Sequence, residues 1–144
     1  GGFFRMSTNW FKDMQEMHAK YGVDKWMKTE KESDWSRLNK FMQFRLAMMQ
    51  EELDETKAAF NDRDAPEMVD GIIDLCVFAI GTLEVFGVDA NKAWDEVYRA
   101  NMAKQVGIKE GRPNPLGLPD LKKPDDWQGP VHEDNCGNIT DSFQ

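Results

Sequence analysis

Glu51-Glu52-Leu53-Asp54-Glu55 and, after a spacer of eleven residues, Glu67-Met68-Val69-Asp70-Gly71-Ile72-Ile73-Asp74 decide how this chain folds. The acids recur at spacings of three, four and seven, which a helix gathers on one side. At roughly 100° per residue, Phe41, Met48, Glu52, Glu55 and Ala59 share one stripe. Glu67, Asp70, Asp74, Val77 and Gly81 share another on the next helix. Each stripe is apolar at one end and carboxylate at the other. The short connection between them predicts antiparallel neighbours, so Glu52 and Glu55 face Asp70 and Asp74 across an interhelical groove. Charged side chains rarely sit in line with core positions unless paired or metal-bound. Asp54 and Asp62 lie off the stripes and read as solvated acids.

Working outward, Ser7 or Thr8 can cap a first helix, with Trp10, Phe11, Met14, Met17, His18 and Tyr21 at helical intervals up to Gly22. Residues 23–32 are mixed and Lys-rich and read as a connection with a helical turn. Ser33 or Asp34 caps the longest element, where Trp35, Leu38, Phe41, Met42, Arg45, Met48 and Met49 recur at threes and fours as far as Phe60. Asp64 suits the N-cap of a third helix and Pro66 its first turn. Residues 72–86 are nearly continuous apolar sequence, too long for a strand and too short for a membrane span, so they predict a buried helix. Gly87 is its natural stop. Asp89 opens a fourth helix through Ala93, Trp94, Val97, Tyr98 and Met102 to near Gly107. Beyond it Gly111, Pro113, Pro115, Gly117, Pro119, Pro124, Gly129 and Pro130 exclude regular helix. The expected fold class is all-α, a four-helix bundle with an irregular Pro/Gly-rich tail. Residues 1–6 read as an appended leader, 7–107 as the helical domain and 108–144 as the tail.

The 144 residues are enough for one domain with its own core. With 40% hydrophobic and 31% charged residues the chain is globular in composition. Its formal net charge of −8 argues against a nucleic-acid polymer, whose binding rests on surplus Lys and Arg. A small anionic substrate remains compatible if a divalent cation neutralises it. Cys76 and Cys136 form no CxxC pattern, which fits a reducing cytoplasm. No stretch approaches the roughly 20 apolar residues of a membrane span, and no signal peptide is visible.

Converging carboxylates in a partly buried groove repel one another and, unless protonated, need a cation. All-oxygen ligation suits Mg²⁺, or Mn²⁺ in its place, more than zinc. Mg²⁺ takes further ligands from phosphate chains, which points to phosphate-ester or anhydride chemistry. A di-iron bundle requires two Glu-x-x-His pairs, and neither His18 nor His132 has a Glu three residues before it. Walker A, GxGxxG and GxSxG motifs do not occur.

At these residues the chain resembles the all-α nucleoside triphosphate pyrophosphohydrolases, the superfamily of MazG, phosphoribosyl-ATP pyrophosphohydrolase and dimeric dUTPase. Residues 51–55 match its Glu-Glu-x-x-Glu motif. Residues 70–81 resemble its Glu-x-x-Asp element running into an apolar helix, in the form found in phage-type members. Gly87-Val88-Asp89 resembles the following turn, Asn101-Met102-Ala103-Lys104 the Asn-x-x-Lys element, and Leu121-Lys122-Lys123-Pro124-Asp125-Asp126-Trp127 a tail carried by some phage-type members. One position departs from the pattern. With Asp74 as motif aspartate, Gly71 stands where the family has Glu, and Asp70 substitutes from one turn back; the other register uses Glu67 and Asp70.

The resemblance implies Mg²⁺-dependent cleavage of the α–β phosphoanhydride of a ribo- or deoxynucleoside triphosphate, giving a nucleoside monophosphate and pyrophosphate. Glu52, Glu55, Asp70 and Asp74 would hold the metal, Glu51 would orient or deprotonate water, and Asn101 and Lys104 would meet the phosphates. It also implies a homodimer or a dimer of dimers. Arg45 reads as a structural ion pair or a phosphate contact. Trp10, Phe11, Trp26, Trp35 and Phe41 are base-stacking candidates, each better explained singly as core or interface. Competing readings are phosphoribosyl-ATP hydrolysis in histidine synthesis and a non-catalytic acidic module for a basic partner.

Overall fold

In the computed structural model, which describes residues 6–33, 36–112 and 114–143, helix α1 (Trp10–Lys20) starts at Asn9 rather than at Ser7 or Thr8. The Asn9 side chain accepts the Lys12 amide at 3.1 Å, a standard N-cap. Only Met14 and His18 of α1 are buried, while Trp10, Met17 and Tyr21 are exposed. An outer helix that docks through one narrow stripe leaves its flanks in solvent.

Residues 23–32, expected as a connection, instead belong to an eleven-residue helix, α2 (Val23–Ser33). Met27 is buried, and Val23 and Trp26 pack on the core, while Lys25 and Lys28 are exposed. The helix is held by this tertiary contact, which local propensity does not report. Asp34, Trp35, Pro113, Gln144 and residues 1–5 lie outside the described residues, and with them the cap assigned to Asp34 and the core role assigned to Trp35.

Helix α3 (Ser36–Asn61, 26 residues) is the longest element among the described residues, as the periodicity predicts. Asp64 caps α4 (Ala65–Val85) by accepting the Glu67 amide at 3.1 Å, with Pro66 in the first turn. Gly87 comes next with φ 80°, a left-handed conformation that glycine adopts without steric cost. Its amide donates to the Glu84 carbonyl at 3.0 Å, ending the helix as expected. Helix α5 (Ala90–Met102) stops short of Gly107.

The segment beyond α5 is more ordered than its Gly and Pro content suggests. Strand β1 (Gln105–Gly107) pairs antiparallel with β2 (Asp120–Lys122), Val106 opposite Leu121. The chain end forms a 3-10 turn (Thr140–Phe143). Asn39 donates its side-chain amide to the Ser142 carbonyl at 2.7 Å, and the Asn138 amide donates to the Phe86 carbonyl at 2.6 Å.

The contacts divide the chain into two compact units, residues 1–90 with 136–144, and residues 91–135. The segment expected as a tail therefore contributes to both. The core of the first unit is Met27, Leu38, Val85 and Phe86, with Phe41, Met42 and Ile139 packed against it. Phe41 lies between Trp26 and Phe86, ring centroids at 4.8 and 5.8 Å, in the tilted geometry aromatic pairs prefer. Among the described residues no helix alone is long and apolar enough to cross a membrane.

Candidate active site

Helices α3 and α4 meet at two crowded points. A Cβ on Gly71 would overlap the Thr56 hydroxyl, and one on Gly81 would lie 3.3 Å from the Arg45 guanidinium. Position 71 thus faces 56 and position 81 faces 45, so the helices run antiparallel. This register sets Asp74 opposite Glu52.

The departure at position 71 has a physical cause. Thr56 fills the space a side chain there would need, and its hydroxyl donates to the Glu52 carbonyl at 2.8 Å. Gly71→Ala should therefore destabilise the protein: overpacking costs about 1–3 kcal/mol, more than the ~1 kcal/mol of helix propensity it gains. Thr56→Ala removes the clashing hydroxyl, and in that background Gly71→Ala should become neutral or stabilising. Urea denaturation of the four proteins checks this; a stabilising Gly71→Ala in the parent would refute the close approach.

Glu52 is half-buried, and its Oε2 is buried without a hydrogen-bond partner. Burial pushes its carboxyl above the ordinary value, and the charges of Glu55 and Asp74, a hydrogen bond shared with Glu55, and the charge of Glu51 push the same way. Four of the expected acids are thus brought into one field. Glu51 and Glu55 are exposed and Asp74 is half-buried. Asp70 is exposed and is not among the charges acting on Glu52. Glu67 is also exposed, in the first turn of α4 with its amide taken by Asp64. Asp74, and neither Asp70 nor Glu67, is among the charges acting on Glu52. Among the described residues, no three acid, His or Cys side chains stand in ligand geometry around one point. The donor set nonetheless fits a hard cation, since an orphaned buried carboxylate oxygen among three further carboxylates lacks positive charge.

Arg45 faces inward. It is 8% exposed, its guanidinium lies 5.0 Å from the Phe41 ring centroid, and its Nε is buried without a partner. Burial lowers its pKa and the charge of Glu84 raises it. Glu84 in turn hydrogen-bonds the buried His18 through Nδ1. This cluster joins α1, α3 and α4; Arg45 is buried in it beside Phe41 and feels the charge of Glu84. Of the aromatic candidates, Trp26 and Phe41 pack into the core and Trp10 is exposed.

In the second unit Asn101 is exposed, and its carbonyl accepts the Lys104 amide at 3.2 Å. The Lys104 ammonium lies 5.5 Å from the Trp127 ring centroid. Nothing in the sequence signals this partner, because a cation–π contact across 23 residues leaves no spacing to detect. Thr56 and Glu84 are two further residues that the acidic motifs do not single out. Glu84 carries a visible signal, a lone acid in an apolar run; Thr56 carries none, because the glycine its hydroxyl faces lies on another helix.

The family model for phosphoribosyl-ATP pyrophosphohydrolase matches residues 22–101, more than half of the chain and both acidic motifs. The chain belongs to this family, and with it to the MazG-like all-α nucleoside triphosphate pyrophosphohydrolases. It is accordingly a hydrolase of the nucleotide pyrophosphohydrolase type. No curated protein and no solved structure matches it.

Proposed function

We propose that the protein hydrolyses the α–β phosphoanhydride of a ribo- or deoxynucleoside triphosphate to the monophosphate and pyrophosphate, shaping the nucleotide pool, with Mg²⁺ held by Glu52, Glu55, Asp74 and, from one turn away, Asp70. The observation that carries this reading is the unpartnered, buried Oε2 of Glu52 amid the charges of Glu55, Asp74 and Glu51. Mg²⁺ bound there would lower the pKa of a water molecule and neutralise charge on the phosphates, and Mn²⁺ has the same ligand preference. The chain's own contribution is orientation. Asp74 and Glu52 are fixed opposite each other by the Thr56–Gly71 contact, and exposed Glu51 is free to accept the proton that water loses.

A second reading takes phosphoribosyl-ATP as substrate, favoured by the description of the matching family. The deciding experiment incubates the protein and Mg²⁺ with each ribo- and deoxynucleoside triphosphate and with phosphoribosyl-ATP, and tracks monophosphate and pyrophosphate together. Release of inorganic phosphate alone from every triphosphate would reject the α–β assignment.

Exposed apolar side chains support an interface with a second copy. Leu46, Leu53 and Phe60 line one flank of α3, and Val69, Ile72 and Ile73 line α4. Six exposed large hydrophobics on adjoining helices are more than scattered single side chains require, as at interfaces. A second copy of the chain is the occupant we assign, in a homodimer or dimer of dimers. Light scattering at micromolar concentration should give at least twice the monomer mass, and Ile72→Lys with Leu53→Lys should lower it; a monomeric parent would dismiss the assignment.

A further inference from the structure

We propose that a cavity between the end of α3 and the start of α4 holds the nucleobase of the substrate. Phe60, Lys57 and Asn61 there select a base that presents a carbonyl beside a ring N–H, as uracil, thymine and guanine do. Cytosine and adenine, which carry an amine at that edge, are disfavoured. The inference rests on the reading above, in which the acidic groove holds the phosphates.

The cavity measures about 390 Å³ and is lined by Thr56, Lys57, Phe60 and Asn61 of α3 and Met68 of α4. Sites of this size combine an apolar body with a few polar groups. Thr56 and Met68 are half-buried, whereas Lys57, Phe60 and Asn61 are exposed. Phe60 is 67% exposed, which leaves its ring open to stacking, and the Met68 thioether offers a polarizable contact. Stacking tolerates every base, since each has a π-face. Selection therefore falls to the polar pair.

Among the described residues neither the Lys57 ammonium nor the Asn61 carboxamide has a hydrogen bond or ion pair within the chain. A carboxamide matches a lactam edge, its N–H donating to the carbonyl and its oxygen accepting the ring N–H. Turned over, the same amide can serve an amine. An ammonium has no such freedom: it only donates, so it favours a carbonyl oxygen and opposes an exocyclic amine. Lys57 thus decides between the two kinds of base.

The Thr56–Gly71 contact separates this cavity from the acidic groove along one helix seam. On α3 the groove lies at Glu52 and Glu55 and the cavity at Phe60 and Asn61; on α4 they lie at Asp74 and Met68. Glu52 to Phe60 and Met68 to Asp74 correspond to about 12 and about 9 Å along the helix axes. A ribose set between the phosphate chain and the base can span that gap. Phe60 also ends the apolar flank Leu46, Leu53 and Phe60, so a second copy seated there borders the cavity.

The test reads binding and turnover separately, on the full chain. With Mg²⁺ present, the monophosphates of deoxyuridine, thymidine, deoxyguanosine, deoxycytidine and deoxyadenosine are titrated while the side-chain amide resonances of Asn61, identified by Asn61→Leu, are followed by NMR. The first three should shift these resonances and bind about tenfold more tightly than the last two. The kcat/KM values of the triphosphates should rank the same way. Lys57→Met should bring the ratio close to one. Phe60→Leu should weaken all five about tenfold and raise KM with little change in kcat, and Phe60→Trp should restore both. A base ratio untouched by Lys57→Met, or Asn61 resonances that no monophosphate moves, would overturn the proposal. So would a Phe60→Leu protein of lower mass in light scattering and unchanged affinities, which would assign the cavity to the subunit interface. Monophosphates bound in the expected order by a protein that hydrolyses no triphosphate would uphold the cavity and reject the catalytic assignment. Hydrolysis without base preference would do the reverse.

Discussion

Glu52→Gln is expected to lower turnover on the order of 10³-fold, the loss of a ligand oxygen that helps concentrate positive charge on the phosphates. The same substitution should make the protein more stable at pH 7. Burial and the charges of Glu55, Asp74 and Glu51 hold the Glu52 carboxyl above its ordinary value of 4.5 in the folded state. A carboxyl so shifted favours folding only while protonated. Its contribution is fully present below about pH 4.5 and is lost as pH rises through the higher folded value. The stability gain of Glu52→Gln should therefore be evident at pH 7 and vanish near pH 4. Thermal melts across that range check the sign, and a gain that persists at pH 4 would mean the carboxylate repulsion is not its source. Mg²⁺ should raise the melting temperature of the parent and do so less for Glu52→Gln, since binding to the folded state stabilises by mass action. Full turnover by Glu52→Gln would remove the acidic groove from the mechanism.

Glu84→Gln is expected to cost about 3 kcal/mol, the scale for leaving one member of a buried charge cluster uncompensated. Glu84 is the carboxylate whose charge holds up the pKa of Arg45, and it also hydrogen-bonds His18. Its side chain is 17% exposed and that of His18 is 4% exposed, so water screens the cluster poorly. Glutamine keeps the length and a hydrogen bond to His18 but removes the carboxylate charge that offsets the buried Arg45 cation. Arg45→Met introduced into Glu84→Gln should recover much of the loss, because a flexible apolar side chain fills the space beside Phe41 without a charge to compensate. Urea denaturation gives the coupling energy directly from the double-mutant cycle. If the two substitutions simply add, the cluster is not a unit.

The two predictions depend on different kinds of legibility. Glu52 is readable because an acid recurring in register with Phe41, Met48 and Ala59 conflicts with its position, and such conflicts arise where charge has a use. Arg45 carries the same signal, yet it faces the core with Glu84 and His18. Stripe position alone cannot tell an acid that lines a groove from a base that completes an internal cluster. Helix α2 escapes a reading by pattern for the opposite reason. Its Lys-rich surface hides the single face formed by Val23, Trp26 and Met27, and only the core into which they pack makes it helical. The order of the chain end is equally hidden, because Gly and Pro exclude helix but not ordered loop, and Ser142 and Ile139 are held by α3 and the core.

By itself the sequence determined the local elements: the long α3, the Asp64 cap of α4, the stop at Gly87 and the paired acidic stripes. Each rests on interactions within about one helical turn, which spacing encodes directly. Tertiary structure alone decided which acids meet. The Thr56–Gly71 contact sets the α3–α4 register and brings Asp74, rather than Asp70 or Glu67, opposite Glu52. Side chains on different helices interact through their distance in space, and that distance is fixed only when the helices close on each other.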